Sequence, residues 1–537
     1  MVLKNNQLKM KRKNLNIGFI SLFCFYFVAT VSAYNYLVVS PSAASSHYHV
    51  GFSLVKGLAN SGHNVTLISA FKQKKPVDNI KDVTALGIHK TMEEHISSIV
   101  KNMKKPMWLQ SFDIYSMGLK MTEALLNDTS VLELMKSNKT FDAVISEVFL
   151  NEAQLGLAEH FKAPLIVLSA VGAMPAHADL VGTSFTPSYI PHALLHFTDH
   201  MDLWERLVNF LFVTFTYSIH KFFALPQHEA LYQKYFPDNK MDFYEMRRNT
   251  ALVLVNEHAS LNHPRPFSPN MIPVGGMHIN RQPPQPLPEN IRLFIEGAEH
   301  GVIYCSLGSN VKSKTLPLEK RRAFLETFGK LKQRVLWKFE ESDLPGRPDN
   351  VLISDWFPQN DILAHDKVIA FISHGGRLSI LESIYHGKPF VGIPFFGDQF
   401  MIMAQAEQNG IGIALNYGDL TADILLAATK KILQDPKFTR NVRDMSDRFR
   451  DQPQTPLERA VWWVEHVTRH KGAKYLKSAG QELNFFQYHS LDVLLILFIG
   501  LFFIIYLPIK TFVWILNRLN QFFFKTKVQH GKKIKQN

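Results

Sequence analysis

A short apolar run followed at once by glycines and a helical pattern most restricts the fold of this 537-residue chain. The run VIAFIS (368–373) has the length and continuity of a parallel strand covered on both faces. His374, Gly375 and Gly376 come next, and the pattern RLSILESIYHG then predicts a helix. A helix N-terminus offers unpaired N–H groups and about +0.5 of an elementary charge, and glycine lets the backbone approach a ligand closely. The segment therefore predicts an α/β fold with a nucleotide-phosphate site at this helix N-terminus.

The strand–helix–strand alternation is found in both halves of the chain. The first half predicts strands at 36–40, 64–69, 141–148 and 164–170, with a helix near 48–61 after the first. The second half restarts with GVIYCSLGSN and adds RVLWKF, VLISDW and PFVGIPF as further strands. Such alternation is typical of parallel, doubly wound sheets. The Gly- and Pro-rich stretch 275–290 cannot form a regular element and is interpreted as a linker between two domains.

The wider segment around the first motif, residues 355–399, resembles the signature of the animal UDP-glycosyltransferase family. The matching residues, in family order and at family-like spacing, are Trp356, Gln359, His374-Gly375-Gly376, Glu382, Pro389 and Asp398-Gln399. The resemblance extends from Tyr34 to the C-terminal apolar segment. It implies the GT-B architecture, in which two Rossmann-like domains face a cleft. Packing alone is the alternative explanation for Trp356 and Pro389.

The resemblance also implies roles for the residues that would bind a UDP-sugar. Stacking on uracil is implied for Trp356, ribose binding for Gln359 and Glu382, and contacts with sugar hydroxyls for Asp398 and Gln399. The diphosphate is expected at His374, at the N–H groups of Gly375 and Gly376, and at a loop containing three small residues. These three residues are Ser306, Gly308 and Ser309. Many relatives carry asparagine at the position of Leu378. Leucine cannot make that polar contact, so Ser379 is expected to assist in binding the phosphate instead.

Transfer of a sugar to a hydroxyl group needs a base near the acceptor oxygen. His47 and His49 follow the first predicted strand, at the strand end where open α/β sheets bind ligands. An ordinary histidine pKa suits general-base catalysis at neutral pH. His47 matches the family's catalytic histidine, whereas His49 is interpreted as an ordinary histidine, and no third ligand makes the two a metal site. The family's orienting aspartate is replaced by Glu147, with Glu152 as an alternative partner.

Both ends of the chain carry apolar segments flanked by basic residues. Residues 1–33 have a basic start, an apolar core and Val31-Ser32-Ala33, which predict a secretory signal peptide, with an uncleaved anchor as the alternative. A transmembrane helix is predicted at 485–509 and a basic cytosolic tail at 510–537, whose KIKQN end resembles a dilysine retrieval signal. Five basic residues before Ala33 and seven after Asp492, with no acidic residue in either segment, account for most of the net charge of +13. The near-neutral body argues against nucleic-acid binding.

These inferences predict a single-pass type I protein of the endoplasmic reticulum membrane with a lumenal catalytic body. The predicted divisions are an N-terminal acceptor-binding domain (34–274), the linker (275–290) and a C-terminal UDP-sugar-binding domain (291–484). Two Met- and Phe-bearing stretches, 85–130 and 175–245, lie where the resembled family binds its acceptor, so they are expected to bind a small lipophilic acceptor, with core packing as the alternative explanation. The residues require no metal and no cofactor besides the UDP-sugar, and they leave homo-oligomerisation open.

The predicted activity is inverting transfer of a hexosyl group, preferably glucose, to a hydroxyl group. Glucuronic acid is the alternative sugar, and a catalytically impaired partner subunit is the alternative function because of Glu147. A nicotinamide enzyme is disfavoured, since GIGIAL (410–415) lacks the last glycine of a dinucleotide motif.

Three sequons and one cysteine of the mature chain complete the sequence predictions. Asn127 and Asn138 are predicted lumenal glycosylation sites, whereas Asn64 is predicted to lie on a buried strand and to be unmodified. Cys24 lies in the signal segment, so Cys305 remains alone and is expected to be a packed thiol without a disulfide partner.

Overall fold

The computed structural model describes residues 33–73, 75–92, 94, 106–279 and 284–534. Apart from Ala33, the predicted signal peptide lies outside the described residues, as do the side chains of the dilysine end. The chain forms two compact units that divide after Lys477. The first unit contains two parallel sheets, and the second contains the long C-terminal apolar helix.

The first sheet has seven parallel strands within the described residues, in the order β3-β2-β1-β4-β5-β6-β7. Its central strands are fully buried apolar runs, because helices cover both faces. The strand order reverses between β1 and β4, so side chains that follow these two strands meet in one crevice. The bounds are β1 (Asn35–Ser40), β2 (Asn64–Ser69), β3 (Ile80–Thr84), β4 (Ala143–Glu147), β5 (Leu165–Ser169), β6 (Thr250–Val255) and β7 (Met271–Pro273).

The second sheet repeats this plan with six parallel strands in the described chain, in the order β10-β9-β8-β11-β12-β13. Here the order reverses between β8 and β11, which places the loops after these two strands side by side. The bounds are β8 (Val302–Ser306), β9 (Arg334–Lys338), β10 (Val351–Ser354), β11 (Val368–Ser373), β12 (Phe390–Gly392) and β13 (Gly412–Ala414).

Helices pack on both faces of each sheet and supply the remaining regular structure. The bounds in the first half are α1 (Ser45–Asn60), α2 (Met107–Leu126), α3 (Thr129–Met135), α4 (Gly156–His160), α5 (Pro175–Val181), α6 (Leu203–Ile219), α7 (Leu225–Tyr235) and α8 (Phe243–Arg248). Those that follow are α9 (Glu289–Glu296), α10 (Leu318–Gly329), α11 (Gln359–Ala364), α12 (Arg377–Tyr385), α13 (Gln399–Gln408), α14 (Ala422–Gln434), α15 (Pro436–Arg450), α16 (Pro456–Arg469), α17 (Phe485–Tyr488) and α18 (Leu491–Ile534).

Helix α16 leaves the second half and packs on the first. It begins with a capping box, in which the Glu458 N–H donates to Thr455 Oγ1 (3.1 Å) and the Thr455 N–H donates to Glu458 Oε2 (2.8 Å). Its buried face joins the core beneath α1. A methyl group added to Gly57 of α1 would lie 2.8 Å from Leu457, so the two helices are in close contact. The preceding helix α15 still belongs to the second half, where Phe449 is fully buried.

Helix α18 is longer than the predicted span. It runs without interruption through Pro508 and Lys510, whereas the sequence predicted a separate tail from 510. Its portion Leu491–Thr526 is long and apolar enough to cross a membrane, and none of it is buried. At about 1.5 Å per residue these 36 residues exceed the ~30 Å hydrocarbon layer. The stretch Leu203–Tyr235 meets the same criteria, but 39% of it is buried in the first unit.

Several local predictions need correction. Helix α1 begins at Ser45, three residues before the predicted start, so His47 lies in the first turn of a helix and not in a loop. The edge strand β3 had not been predicted, which makes Glu147 the end of the fourth strand along the chain. The prediction that Asn64 is buried was wrong: it is the exposed first residue of β2, and its Nδ2 donates to Asn35 Oδ1 (3.1 Å).

Candidate active site

A cavity of about 550 Å³ lies between the two sheets and is lined by both halves of the first unit. The segments after β1 and β4 face it from the first half, and the loops after β8 and β11 face it from the second. The halves touch at its rim, where the Ser45 hydroxyl donates to Ser309 Oγ (2.6 Å). Side chains from opposite sheets therefore share one cavity.

His47 and Glu147 meet at the reversal point of the first sheet. His47 Nδ1 lies 2.5 Å from Glu147 Oε1, and the Glu147 side chain is 1% exposed. Burial alone lowers the pKa of His47, but the Glu147 carboxylate and, more weakly, Asp398 of the other half raise it above the ordinary value. With Nδ1 occupied by the carboxylate, Nε2 is the ring nitrogen left for a substrate.

The backbone that carries Glu147 is held by buried polar side chains. Gln154 Nε2 donates to the Glu147 carbonyl (2.9 Å), as does Asn151 Nδ2 (3.3 Å). The alternative partner Glu152 is engaged elsewhere, because its carboxylate contacts His220 Nε2 (2.5 Å) and the Arg247 Nε–H. The structure therefore brings Glu147, and not Glu152, to His47.

The loop after β8 and the start of α12 form a small polar cradle. Gly308 has φ = +85°, and a methyl group added there would lie 2.7 Å from the His374 ring. A methyl group on Gly376 would lie 2.3 Å from His374 Nε2. Burial lowers the pKa of His374 to about 4, so its imidazole is neutral at physiological pH. Both glycines are thus required by the close approach of His374.

Gly375 and Ser306 complete the cradle. Gly375 has φ = +78°, and its N–H donates to Ser373 Oγ (3.2 Å). Ser306 ends β8, and its Oγ accepts from the Gly308 N–H (3.4 Å). Lys338, which the sequence interpretation missed, donates from Nζ to the Gly308 carbonyl (2.8 Å) and also lines the cavity. It places a cation beside the polar cradle.

A second polar group connects α11 to α12. Gln359 Nε2 donates to Glu382 Oε2 (2.7 Å) and to Ser379 Oγ (3.0 Å). Burial raises the pKa of Glu382 to about 7, a shift that the Gln359 hydrogen bond opposes. Trp356 precedes this group and is 60% exposed, with its ring at the cavity wall. The structure thus brings these four sequence-predicted residues to one end of the cavity.

Asp398 and Gln399 lie at the start of α13 and also line the cavity. Arg377 Nε donates to Asp398 Oδ2 (3.2 Å), and Arg377 is 4% exposed. Gln399 Oε1 accepts the backbone N–H groups of Phe395 (2.8 Å) and Phe396 (3.2 Å), so its carbonyl oxygen is engaged. The Arg377 contact was missed in the sequence because it depends on the approach of two helices.

Leu378, which replaces the expected polar residue, faces the other half of the protein. It packs against the apolar cluster beneath α1 that includes Met277 and Ala170. This packing gives a physical reason for an apolar residue at the position.

Most of the remaining wall of the cavity comes from the first half, and much of it is apolar. Its apolar side chains belong to α2 and the segment before it, to the turns after β4 and β5, and to the connection before α6. They include Met92, Ile114, Tyr115, Met117, Phe149, Leu150, Met174 and Leu194. Their positions fall partly within the two stretches predicted to bind an acceptor. Within the described residues, no group of three or more His, Cys, Asp or Glu side chains is arranged to hold a metal ion.

The predicted modification sites do not line the cavity. Asn127 caps the end of α2, Asn138 follows α3, and both are exposed. Cys305 is fully buried within β8, and burial raises the pKa of its thiol well above the ordinary value.

Comparisons with known proteins agree with this geometry. A family model described as "UDP-glucoronosyl and UDP-glucosyl transferase" matches residues 50–527. The chain is 38% identical to UDP-glycosyltransferase UGT5 of Dactylopius coccus, over 90% of this chain and 93% of that protein. It is 36% identical to UDP-glucosyltransferase 2 of the same organism, over 88% and 91% of the two chains.

The fold is similar to that of solved glycosyltransferases. The glycosyltransferase VinC, solved in complex with DTDP, matches with a TM-score of 0.54 at 18% identity, over 81% of this chain and all of that chain. This likeness confirms the predicted GT-B fold with its two Rossmann-like sheets. The family match and the extent of the relatives together show that this chain belongs to the UDP-glucuronosyl and UDP-glucosyl transferase family of hexosyltransferases.

Proposed function

We propose that the protein transfers glucose from UDP-glucose to a hydroxyl group of a small lipophilic acceptor, with inversion at the anomeric carbon and His47 as general base. One observation carries this proposal: the His47–Glu147 pair faces Asp398 across the cavity closely enough for the Asp398 charge to raise the pKa of His47. A base on one half and a sugar-binding carboxylate on the other would leave the acceptor oxygen between them.

The chemistry follows from this placement. His47 Nε2 accepts the proton of the acceptor hydroxyl while that oxygen forms a bond to the anomeric carbon. The bond from that carbon to the β-phosphate oxygen breaks, and its electron pair leaves with UDP. Attack from the side opposite to UDP inverts the configuration. Glu147 holds the imidazole in the tautomer that can accept a proton and stabilises the imidazolium that forms.

Charge that develops on the leaving diphosphate would meet the polar cradle. The N-terminus of α12, the hydroxyls of Ser306 and Ser309, and the Lys338 ammonium are preorganised donors there. His374 adds a neutral imidazole whose Nδ1 has no hydrogen-bond partner among the described residues. Trp356, Gln359 and Glu382 would hold the uridine end, and Ser379 would support them.

Two observations favour glucose over glucuronic acid. The Arg377 cation nearest to Asp398 is already paired with that carboxylate and also donates from Nη1 to Asn262 Oδ1 (3.4 Å). A carboxylate on the sugar would therefore have to compete with Asp398 for this cation. The similar protein UDP-glucosyltransferase 2 carries glucosyl transfer in its name.

The remaining aspects of the proposal concern the acceptor and the location. The apolar wall suits a lipophilic molecule, since methionine and aromatic side chains adapt to varied apolar shapes. We further infer a lumenal catalytic body anchored in the endoplasmic reticulum membrane by α18, with Asn127 and Asn138 glycosylated. The exposed apolar length of Leu491–Thr526 supports the anchor.

The direct test uses membranes that contain the full chain. UDP-glucose and UDP-glucuronate, each labelled in the sugar, are offered side by side with a panel of small phenols. We expect glucosyl products with the β-configuration by NMR, and little transfer of glucuronic acid. His47→Ala should abolish turnover while UDP still binds. His160→Ala is the matched control, because the His160 imidazole hydrogen-bonds to the Met135 carbonyl (2.9 Å) and does not line the cavity. Full turnover by His47→Ala would contradict the assigned base.

The same assay addresses a catalytically impaired partner subunit. The hypothesis of an impaired subunit is based on the longer side chain of Glu147. The 2.5 Å contact between His47 Nδ1 and Glu147 Oε1 argues against it, because the carboxylate still reaches the imidazole. Absence of transfer by purified, UDP-binding protein would favour the impaired subunit.

A further inference from the structure

His278 is a buried histidine of the cavity wall that the sequence interpretation had assigned only to the interdomain linker. It follows β7, on the segment by which the chain leaves the first half. Its side chain is 4% exposed and lines the same end of the cavity as Gln359 and Glu382. The residue therefore belongs to the wall at the proposed uridine end.

Neither ring nitrogen of His278 makes a hydrogen bond of normal geometry within the described residues, although the Leu378 carbonyl lies close enough to raise its pKa. Burial, opposed weakly by the Leu378 carbonyl, lowers the pKa of His278 to about 4, so the imidazole is neutral and offers one N–H donor and one acceptor. A buried polar group without a partner is costly, and such groups in native proteins call for an explanation. A ligand that enters the cavity would supply the missing partner.

The geometry indicates which kind of ligand atom fits. His278 Nε2 lies 3.6 Å from Glu382 Oε1, which is too far for a direct hydrogen bond. An oxygen atom placed about 2.8 Å from each of them satisfies both distances. A hydroxyl group there accepts from the Nε2–H and donates to the carboxylate, so it satisfies both side chains. The other oxygen of Glu382 is already occupied by Gln359, which keeps Oε1 directed to this position.

We propose that His278 binds the ribose of the donor nucleotide, sharing one ribose hydroxyl with Glu382. The inference rests on the proposed placement of uridine at Trp356, Gln359 and Glu382. Because His278 lies on the segment that joins the halves, the nucleotide then contacts the linker as well as the second sheet. Ribose binding by His278 gives a role to this buried polar side chain, which lies beside the apolar Leu378.

Nucleotide analogues test this contact on the purified full chain in detergent. Calorimetry measures the Kd of UDP, 2′-deoxy-UDP and 3′-deoxy-UDP with the unchanged protein, His278→Ala and His278→Gln. We expect the unchanged protein to bind UDP about tenfold more tightly than one of the two deoxy analogues. In His278→Ala the Kd of UDP should rise about tenfold, while the Kd of that analogue should change little. The preference for UDP then disappears. His278→Gln, which keeps an N–H donor, should retain part of the preference.

The outcomes separate ribose binding from a purely structural role. If His278→Ala weakens UDP and both analogues equally, the preference persists and the proposal is overturned. Equal binding of all three nucleotides by the unchanged protein overturns it as well. If the alanine variant does not fold, His278→Gln decides: a preference for UDP that is smaller than in the unchanged protein supports ribose binding by His278, and an unchanged preference overturns the proposal. His160→Ala should change no Kd. Failure of the unchanged protein to bind UDP at all would instead contradict the proposed function.

Discussion

The two walls of the cavity are built in different ways. The wall of the second half presents polar side chains from strand ends and helix starts, and these side chains hold one another, as Gln359 holds Glu382 and Arg377 holds Asp398. The wall of the first half presents mostly apolar side chains from helices and irregular connections, between Met92 and Thr216. Under the proposed function, the difference teaches that most of the nucleotide site is encoded in one segment, 355–399, whereas the acceptor site is encoded by residues scattered over more than a hundred positions.

The His47–Glu147 pair is a polar group on the mostly apolar wall. It is as polar and as precisely held as any group opposite, and it lies at the reversal point of its own sheet. Changes to this pair should therefore affect the chemical step, changes to the polar wall should affect the donor, and changes to the rest of the apolar wall should affect only the acceptor.

The largest effect is expected for Glu147→Gln. The amide can donate to Nδ1 and so favour the tautomer whose Nε2 is protonated and cannot accept a proton. We expect kcat to fall by about 10²–10⁴-fold, with the Kd of UDP unchanged by calorimetry. Glu147→Asp should lose about 10²-fold, because the shorter side chain withdraws the carboxylate by more than 1 Å. An equal loss of UDP affinity would contradict the claim that Glu147 affects only the chemical step.

The next effect belongs to the donor wall. Trp356→Ala removes the exposed ring on which uracil is expected to stack, a contact that is typically worth about 1–3 kcal/mol. The KM for UDP-glucose should rise by about 5- to 100-fold, while the KM for the acceptor stays constant. Steady-state kinetics with each substrate varied in turn measure both quantities, and an equal rise in the acceptor KM would contradict the assignment.

Arg377→Met sharpens the comparison within the donor wall. It removes the cation that orients Asp398 but keeps an unbranched apolar stem in the buried position. We expect the KM for UDP-glucose to rise about tenfold, because a charge-assisted hydrogen bond contributes about 1.5–3 kcal/mol. Lys338→Met is a useful second variant, because it should weaken the binding of UDP itself. An unchanged KM in Arg377→Met would show that Asp398 needs no such support.

The pH dependence tests the pair at the centre of the comparison. A general base must be neutral, and Glu147 raises the pKa of His47, so the acid limb of kcat/KM should lie above the ordinary histidine value of about 6.5. Activity should therefore rise with pH through this limb. In Glu147→Gln the residual activity should show the limb at lower pH. A limb that does not move would mean that another group titrates.

The smallest effect is expected on the apolar wall. Met117→Leu conserves volume and apolar character, which usually costs less than about 1.5 kcal/mol. The acceptor KM should change by less than about tenfold and in a direction that depends on the acceptor, while the KM for UDP-glucose is constant. A change in the KM for UDP-glucose would show that the apolar wall also affects donor binding, which contradicts the prediction.

The fold class and the bounds of β11 could be predicted from the sequence, because a continuous apolar run followed by glycines is compatible with few other structures. The sequence was insufficient for the edge strand β3, which is short and largely polar, and for the exposed position of Asn64 at a strand end. It also missed Lys338, Arg377 and His278. Their surroundings are created by tertiary contacts between segments that lie far apart in the chain, and no local pattern records those contacts.

The return of α16 to the first half has a mechanical consequence. The chain crosses between the halves twice, once after β7 and once between Phe449 and Leu457. Two bodies joined at two points turn most easily about the line through those points, and other relative rotations are resisted by the chain itself. Opening and closing of the cavity is therefore expected to follow a single hinge axis. Such a hinge would return His47 to the same position opposite Asp398 after every turnover.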